Sequence, residues 1–254
     1  RVKKRLLFTW QGQELLASAR LVVAEMERAE ADLARYGQTV NALVRLVTRS
    51  YCRFDWFPAF LEDLAGAHPD IELEHHGETL TPPFAALEGG AADLILTHGR
   101  VRRAELLALP AFEDRLVGLV GAADPLAQRP FLDAGDFRER RYVTYSTVLE
   151  GGLEHELMFR HGRIMPERYQ RTSSSEAMAA IVAAGQGASI VTGWVARDLV
   201  ARHELVALPL TRDGLTCTWS VVMRAHEKPG QPVLAVAEHL ATWLGNHESD
   251  HAEN

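Results

Sequence analysis

The sequence predicts an α/β protein in which two similar, doubly wound α/β subdomains follow one long dimerising helix. Three observations predict it. Leu15, Ala19, Val22, Met26, Ala29, Leu33 and Tyr36 recur at alternating steps of four and three, which keeps them on one stripe of a helix. From Ala42 onward, short strand-like runs alternate with helical stretches in β-α-β-α-β order. The run 92–97 is almost wholly apolar, as in strands buried on both faces of a parallel sheet.

The elements follow in order. Residues 1–8 read as a short strand, with Arg and Lys alternating against Val2, Leu6 and Phe8. Thr9 suits the N-cap of the long helix and Gly37 its stop. Glu14, Arg20, Glu25, Glu27, Arg28, Glu30, Asp32 and Arg35 stand between the seam positions and suit wet faces, so the apolar stripe needs a partner helix. The body opens with a strand at Ala42–Thr48, a helix over 54–67 broken by His68-Pro69-Asp70, and a strand at Ile71–His76. Pro82-Pro83 opens a helix that ends at Gly89-Gly90, proline being tolerated in a first turn. Strands 92–97, 106–112 and 115–121 follow.

A second unit repeats the scheme. It has a strand over 142–146, a helix over 153–161, a strand over 168–172 and a helix over 176–184 closed by Gly185. A strand over 188–192, a short helix over 194–201 and strands over 205–210 and 218–223 complete it. The chain is expected to cross between units near 121–125 and near 223–228, so that the amphipathic helix 233–244 returns to the first unit. The expected divisions are 9–37 for the linker helix, 41–121 with 224–245 for one subdomain and 122–223 for the other. A polar tail over 246–254 is expected to be disordered.

Composition is that of an ordinary globular protein, 47% hydrophobic and 24% charged over 254 residues. No run approaches the ~20 apolar residues that span a membrane, and no apolar core of a signal peptide follows the first basic residues. Cys52 and Cys217 form no spacing pattern, which reads as an intracellular chain without a disulfide framework, Cys217 being a small strand residue. The net charge is −7, and Arg1, Lys3, Lys4 and Arg5 hold four of the 27 cations, so the body is more acidic still. Such a body is a poor nucleic-acid binder. The chain starts mid-pattern without Met, which reads as a piece of a longer protein.

Ligands of open α/β sheets bind beyond the carboxyl ends of the strands. Those ends here carry Ser50, Tyr51, Cys52 and Arg53, then Thr97 and His98, then Thr144, Ser173 and Thr192, with hydroxyls at nearly every one. Helix starts favour anions, and Ser173 with Glu176 fits a capping box. Arg53 offers a two-pronged contact for a carboxylate. Ser173 alone reads first as a plain helix start, His98 equally as an exposed loop histidine, and Trp194 as core or subdomain packing.

Catalytic patterns fail. His155 lacks a histidine four residues on, and His75-His76 point to opposite faces of a strand. Gly185-Gln186-Gly187 follows a helix instead of opening one, and neither a Gly-x-Ser-x-Gly elbow nor a Walker loop occurs. Glu113, Asp114 and Arg115 read as surface ion pairing. No enzyme is expected, and no metal or cofactor.

Phe8-Thr9-Trp10-Gln11-Gly12-Gln13-Glu14-Leu15-Leu16 resembles the wing-to-linker junction of LysR-type transcriptional regulators, and the helix to Tyr36 their dimerising linker. His68-Pro69-Asp70-Ile71-Glu72-Leu73, Leu87-Glu88-Gly89-Gly90-Ala91-Ala92-Asp93-Leu94 and Val182-Ala183-Ala184-Gly185-Gln186-Gly187-Ala188-Ser189-Ile190 resemble hallmarks of the family's effector domain. Ser50-Tyr51-Cys52-Arg53-Phe54-Asp55-Trp56-Phe57-Pro58-Ala59-Phe60 is most similar to the branch regulating methionine biosynthesis, whose effector is homocysteine.

The resemblance implies two subdomains like those of type II periplasmic binding proteins. It implies a small carboxylate or amino acid as co-inducer, bound at Ser50, Tyr51, Cys52, Arg53, Thr97, His98, Thr144, Ser173 and Thr192. The seam residues would pair copies into a homodimer and further into a homotetramer in the cytoplasm. Arg1, Lys3, Lys4 and Arg5 would be the wing's remains on the DNA backbone, with DNA otherwise read only through a winged helix-turn-helix that these residues lack. A two-lobed solute-binding protein is the alternative, and an α/β enzyme a more distant one.

Overall fold

In the computed structural model, which describes residues 8–35, 42–48, 53–76, 83–144, 153–172, 174–227 and 230–248, Thr9 caps the long helix as expected. Its Oγ1 accepts the Gly12 N–H at 3.1 Å, and α1 (Trp10–Arg35) follows. At ~1.5 Å per residue, α1 is about 40 Å long. Leu15, Val22, Met26 and Leu33 are exposed on the single chain, Leu15 and Leu33 by 71% and 72%, and Ala19 and Ala29 are exposed with them. Tyr36 and the basic residues Arg1, Lys3, Lys4 and Arg5 lie outside the described residues.

The first lobe is parallel. β1 (Ala42–Thr48) leads to α2 (Phe57–Ala67), β2 (Ile71–His76), α3 (Pro83–Glu88) and β3 (Leu94–His98), with β1 between β2 and β3 and parallel to both. The helix expected from residue 54 starts at Phe57. Arg53 to Trp56 form a turn instead, held by the Trp56 indole N–H donating to the Arg53 carbonyl at 2.7 Å. Asp93, at the head of β3, is fully buried. It accepts the Arg45 backbone N–H at 3.0 Å and Nε at 3.1 Å, and the buried Arg224 guanidinium at 3.1 Å. A buried charge held from both sides in this way ties three strands together.

β4 is one strand, Leu106–Gly121, where two were expected. The charged triplet 113–115 reads as a break in sequence, yet the strand runs through it, with a register shift between Pro110 and Phe112. After a 3₁₀ turn at Pro125–Gln128, α4 (Ala134–Arg138) carries the Asp133/Asp136 capping box that sequence reading passed over. β5 (Arg141–Thr144) follows. Then α5, a π-type turn at His155–Phe159 running into Arg160–Gly162, leads to β6 (Arg168–Arg171), parallel to β5. α6 (Ser175–Ala183), β7 (Ser189–Thr192), α7 (Gly193–Arg202), β8 (Leu205–Pro209), β9 (Leu215–Arg224) and α8 (Pro232–Glu248) complete the chain. Residues 246–248, expected in the disordered tail, form the last turn of α8.

The described strands join as β2-β1-β3-β9-β4-β7, with β8 also on β4. β3–β9, β4–β9, β4–β7 and β4–β8 are antiparallel, so the doubly wound halves are joined through an antiparallel centre. β4 pairs with β9 from Leu106 to Leu116 and with β8 from Val117 to Gly121, so a single strand serves both lobes. One core cluster reaches from Phe60 and Leu64 of α2 through Trp219 to Val182 of α6 and Trp194 of α7, with Leu240 of α8 beside it. A second, around Phe137, Tyr142 and Phe159, fills the far face of the second lobe.

Candidate ligand-binding site between the lobes

The carboxyl ends of β1, β3, β5 and β7 carry Thr48, Thr97 with His98, Thr144 and Thr192, all of them buried. Ser50, Tyr51, Cys52 and Ser173 lie outside the described residues. Thr48 Oγ1 is 3.1 Å from His75 Nε2 at the end of β2. Thr97 sits on the face of β3 that carries Ile95 toward α3, and its hydroxyl has no hydrogen-bond partner among the described residues. An orphaned buried hydroxyl is costly, and a ligand atom at this strand end would satisfy it.

His98 is not an exposed loop residue. It is buried edge-on against Trp219, with ring centres 5.0 Å apart. Thr192 spends its hydroxyl as the N-cap of α7, accepting from the Val195 N–H at 3.4 Å. The capping box expected at Ser173 is replaced by a cap one residue later. Thr172 Oγ1 accepts the Ser174 N–H at 3.2 Å, and Ser174 Oγ accepts from Ala177 at 3.2 Å. Glu176 therefore falls at the second helical position and turns outward to Arg202 and His203, both at 2.9 Å.

The anion-attracting start of α7 is already filled. Asp114 of β4 accepts the Trp194 backbone N–H at 3.1 and 3.3 Å and the Trp219 indole N–H at 3.0 Å. Asp114 is thus buried and hydrogen-bonded, not the surface ion pair that sequence reading expected. Gly193 admits it, because a Cβ there would lie 3.0 Å from Asp114 Oδ1. The protein's own carboxylate stands where an effector's was expected.

Arg53 is likewise engaged. Its Nε donates to Asp55 Oδ1 at 3.0 Å and its Nη2 to Asp55 Oδ2, so the two-pronged edge is occupied. Burial pushes the Asp55 carboxyl up, but the Arg53 hydrogen bond and charge outweigh it and hold the group below its usual value. The guanidinium lies 5.8 Å from the centre of the Trp194 ring, and Nη1 is 3.8 Å from Glu248 Oε2. Glu248 also takes Arg197 of α7 at 2.7 Å, so α8 ends as a clasp across the lobes.

Trp194 packs between subdomains, as expected, 4.8 Å from Trp219, 5.4 Å from Phe112 and 6.3 Å from Trp56. Its buried indole N–H has no partner among the described residues. Two buried polar atoms are thus left without partners among the described residues, the Thr97 hydroxyl on the α3 face of β3 and the Trp194 indole N–H on the Trp219 face. The described residues hold no group of three His, Cys, Asp or Glu placed to take a metal.

Comparison with known proteins identifies the family and the fold. The family model of the LysR substrate binding domain matches residues 37–245. MetR of Salmonella typhimurium, a helix-turn-helix transcriptional regulator, is 27% identical over 252 residues, covering 99% of this chain and 76% of MetR. The regulatory domain of MetR from Neisseria meningitidis superposes with a TM-score of 0.66 at 19% identity, over 80% of this chain and 94% of that one. The effector-binding domain of QuiR, solved with shikimate, gives 0.67 at 17% identity over 82% and 99%. The chain belongs to the LysR family of transcriptional regulators and carries that family's effector-binding domain.

Proposed function

We propose that this chain senses a small carboxylate or amino acid, homocysteine among the candidates, held between its two lobes. The residues proposed to surround it are Ser50, Tyr51, Cys52, Arg53, Thr97, His98, Thr144, Ser173 and Thr192. Arg53 and Thr192 act through the groups they position, since Asp55 and the start of α7 already engage them. The observation that carries the reading is the buried, unpartnered Thr97 hydroxyl at the carboxyl end of β3. QuiR's shikimate is itself a small carboxylate, which supports the ligand class.

A bound ligand acts only through a difference in its affinity for two arrangements of the lobes, and a few kcal/mol is enough. The clasp of Glu248 on Arg197 and the Arg53–Trp194 stack are contacts such a change would remake. In this reading α1 pairs copies into a homodimer, and onward into a homotetramer. The change reaches DNA in the cytoplasm through a winged helix-turn-helix for which Arg1, Lys3, Lys4 and Arg5 supply wing contacts.

Calorimetric titration with homocysteine, the protein amino acids and a set of metabolic carboxylates tests this. We expect one class to bind, and Thr97→Val to weaken it about tenfold, the cost of an unmet buried hydrogen bond. Folded protein that binds none of them overturns the reading.

A further inference from the structure

Thr48 ends β1, and His75 stands one residue from the end of β2, the parallel strand beside it. Strand alternation puts both on the face that carries Val44, Leu46 and Leu73 toward α2. Thr48 is buried, and its Oγ1 lies 3.1 Å from His75 Nε2. Phe54 and Phe57 pack edge-on against the imidazole, with ring centres at 4.6 and 5.6 Å. His75 is only half-buried and Phe54 is exposed, so a proton from solvent can reach the ring.

The charged groups near this pair are engaged elsewhere. His76, next on β2, turns to the opposite face and meets Glu74 at 3.1 Å. Arg53 and Asp55, on either side of Phe54, close on each other. β1 turns Arg45 to the far face, where Asp93 takes it, and α2 turns Asp63 to His239. Among the described residues His75 therefore has Thr48 and no carboxylate as its polar partner. A hydroxyl carries one proton. Beside a neutral imidazole, Thr48 can give that proton to Nε2 and then has only lone pairs left to offer. Beside an imidazolium, Oγ1 must accept from Nε2–H, and the hydroxyl proton turns to another acceptor. Protonation thus makes Thr48 a donor at the carboxyl end of β1 and sets a positive charge behind it.

We propose that Thr48 is a further ligand-binding residue and that His75 positions it, a proton on His75 freeing the Thr48 hydroxyl to donate to a ligand carboxylate. Carboxylate and proton then bind cooperatively, each raising the affinity for the other. Burial disfavours the charged imidazole, so near neutral pH the ligand-free protein holds it uncharged. An arriving carboxylate supplies the counter-charge that the described residues withhold. The inference rests on the reading of a small carboxylate held at the strand ends, and adds to it a dependence on acidity.

Calorimetric titration of the 254-residue chain at pH 7.5, 6.5 and 5.5 tests it, with homocysteine, the protein amino acids other than histidine, and pyruvate. The α-carboxylates of these probes stay ionised over that range. Whichever binds is expected to bind about fivefold or more tightly at pH 5.5 than at pH 7.5. It should also take up protons as it binds, read from heats in buffers of different ionisation enthalpy. His75→Gln keeps a polar atom toward Thr48 but does not titrate, and is expected to bind equally at all three pH values. Thr48→Val is expected to lose the acid enhancement, and Thr48→Ser, which restores the hydroxyl, to keep it. Near-ultraviolet circular dichroism checks that each variant is folded. A purely structural role for the pair would lower affinity by the same factor at every pH. That result overturns the proposal, as does parent affinity that is flat or falls with acid, or an enhancement that survives His75→Gln. Each of these leaves the strand-end reading standing, whereas folded protein that binds no probe at any pH overturns both.

Discussion

Asp114 and Trp194 stand 80 residues apart, and the Trp194 backbone N–H divides itself between the two Asp114 carboxylate oxygens at 3.1 and 3.3 Å. One carboxylate thereby fastens the lobe-joining strand to the first turn of α7 and, through the Trp219 indole at 3.0 Å, to the returning strand. Asp114→Ala would leave two buried donors without an acceptor, each at a cost of about 1–3 kcal/mol. We expect urea denaturation to show a loss of roughly 2–5 kcal/mol at unchanged slope. Asp114→Asn keeps an acceptor oxygen and should lose about half as much. A neutral alanine variant would mean that the N–H groups find other partners.

Cys217 faces Asp114 across the ribbon and is buried in the core of the second lobe. Burial first, and then the charges of Asp114 and Glu113, push its thiol far above the usual range. The thiolate is the reactive form, so native Cys217 should resist alkylation at pH 8 and react fully in denaturant. Peptide mapping after iodoacetamide treatment reads this directly. Rapid native labelling of the Cys217 peptide would contradict the burial.

Why these residues were or were not legible follows from where their partners lie. Trp194 and Cys217 were read correctly because a bulky or small apolar residue on a strand or at its end has few alternatives to packing. Asp114 was misread because Glu113, Asp114 and Arg115 look uniformly wet, and only Trp219, 105 residues on, makes the middle one dry. The same separation hid the continuity of β4 and the antiparallel centre, since alternating strands and helices signal parallel pairing and say nothing about a distant returning strand. Three consecutive serines gave the start of α6 to within one position, which geometry alone resolves at Ser174. α4 carried a visible Asp133/Asp136 box, but Gly135 inside so short a helix masked it.

His75 gives the stability of the first lobe a pH dependence. Its ring packs against Phe54 at 4.6 Å and Phe57 at 5.6 Å, and its Nε2 meets Thr48 Oγ1 at 3.1 Å. Burial, and to a lesser degree the charge of His76, hold its pKa below the ordinary 6.5. Between the lowered folded value and 6.5, the unfolded chain binds more protons here than the folded one. Stability from this group is therefore complete above about pH 6.5 and falls as the pH drops below it, levelling off once the folded value is passed. His75→Asn removes the titration, and its stability measured in urea should change less between pH 7.5 and pH 5 than that of the parent. Parallel curves would show that another group carries the dependence.

The stripe on α1 makes the last prediction. Leu15, Val22, Met26 and Leu33 lie exposed at heptad spacing, and burying side chains of this size is worth about 1.5–3 kcal/mol each. Spread over four positions, that exceeds the cost of bringing two chains together in the lower range of its values. We therefore expect the protein to sediment as a dimer or larger. Val22→Asp/Met26→Asp should shift it to a monomer, because a buried pair of carboxylates on each helix costs more than the remaining apolar contacts return. The effector-binding body lies outside α1, so near-ultraviolet circular dichroism and ligand titration should be unchanged in the double variant. An unaltered chain that sediments as a monomer would mean that the stripe is covered from within, and would remove α1 as the element joining two sensors.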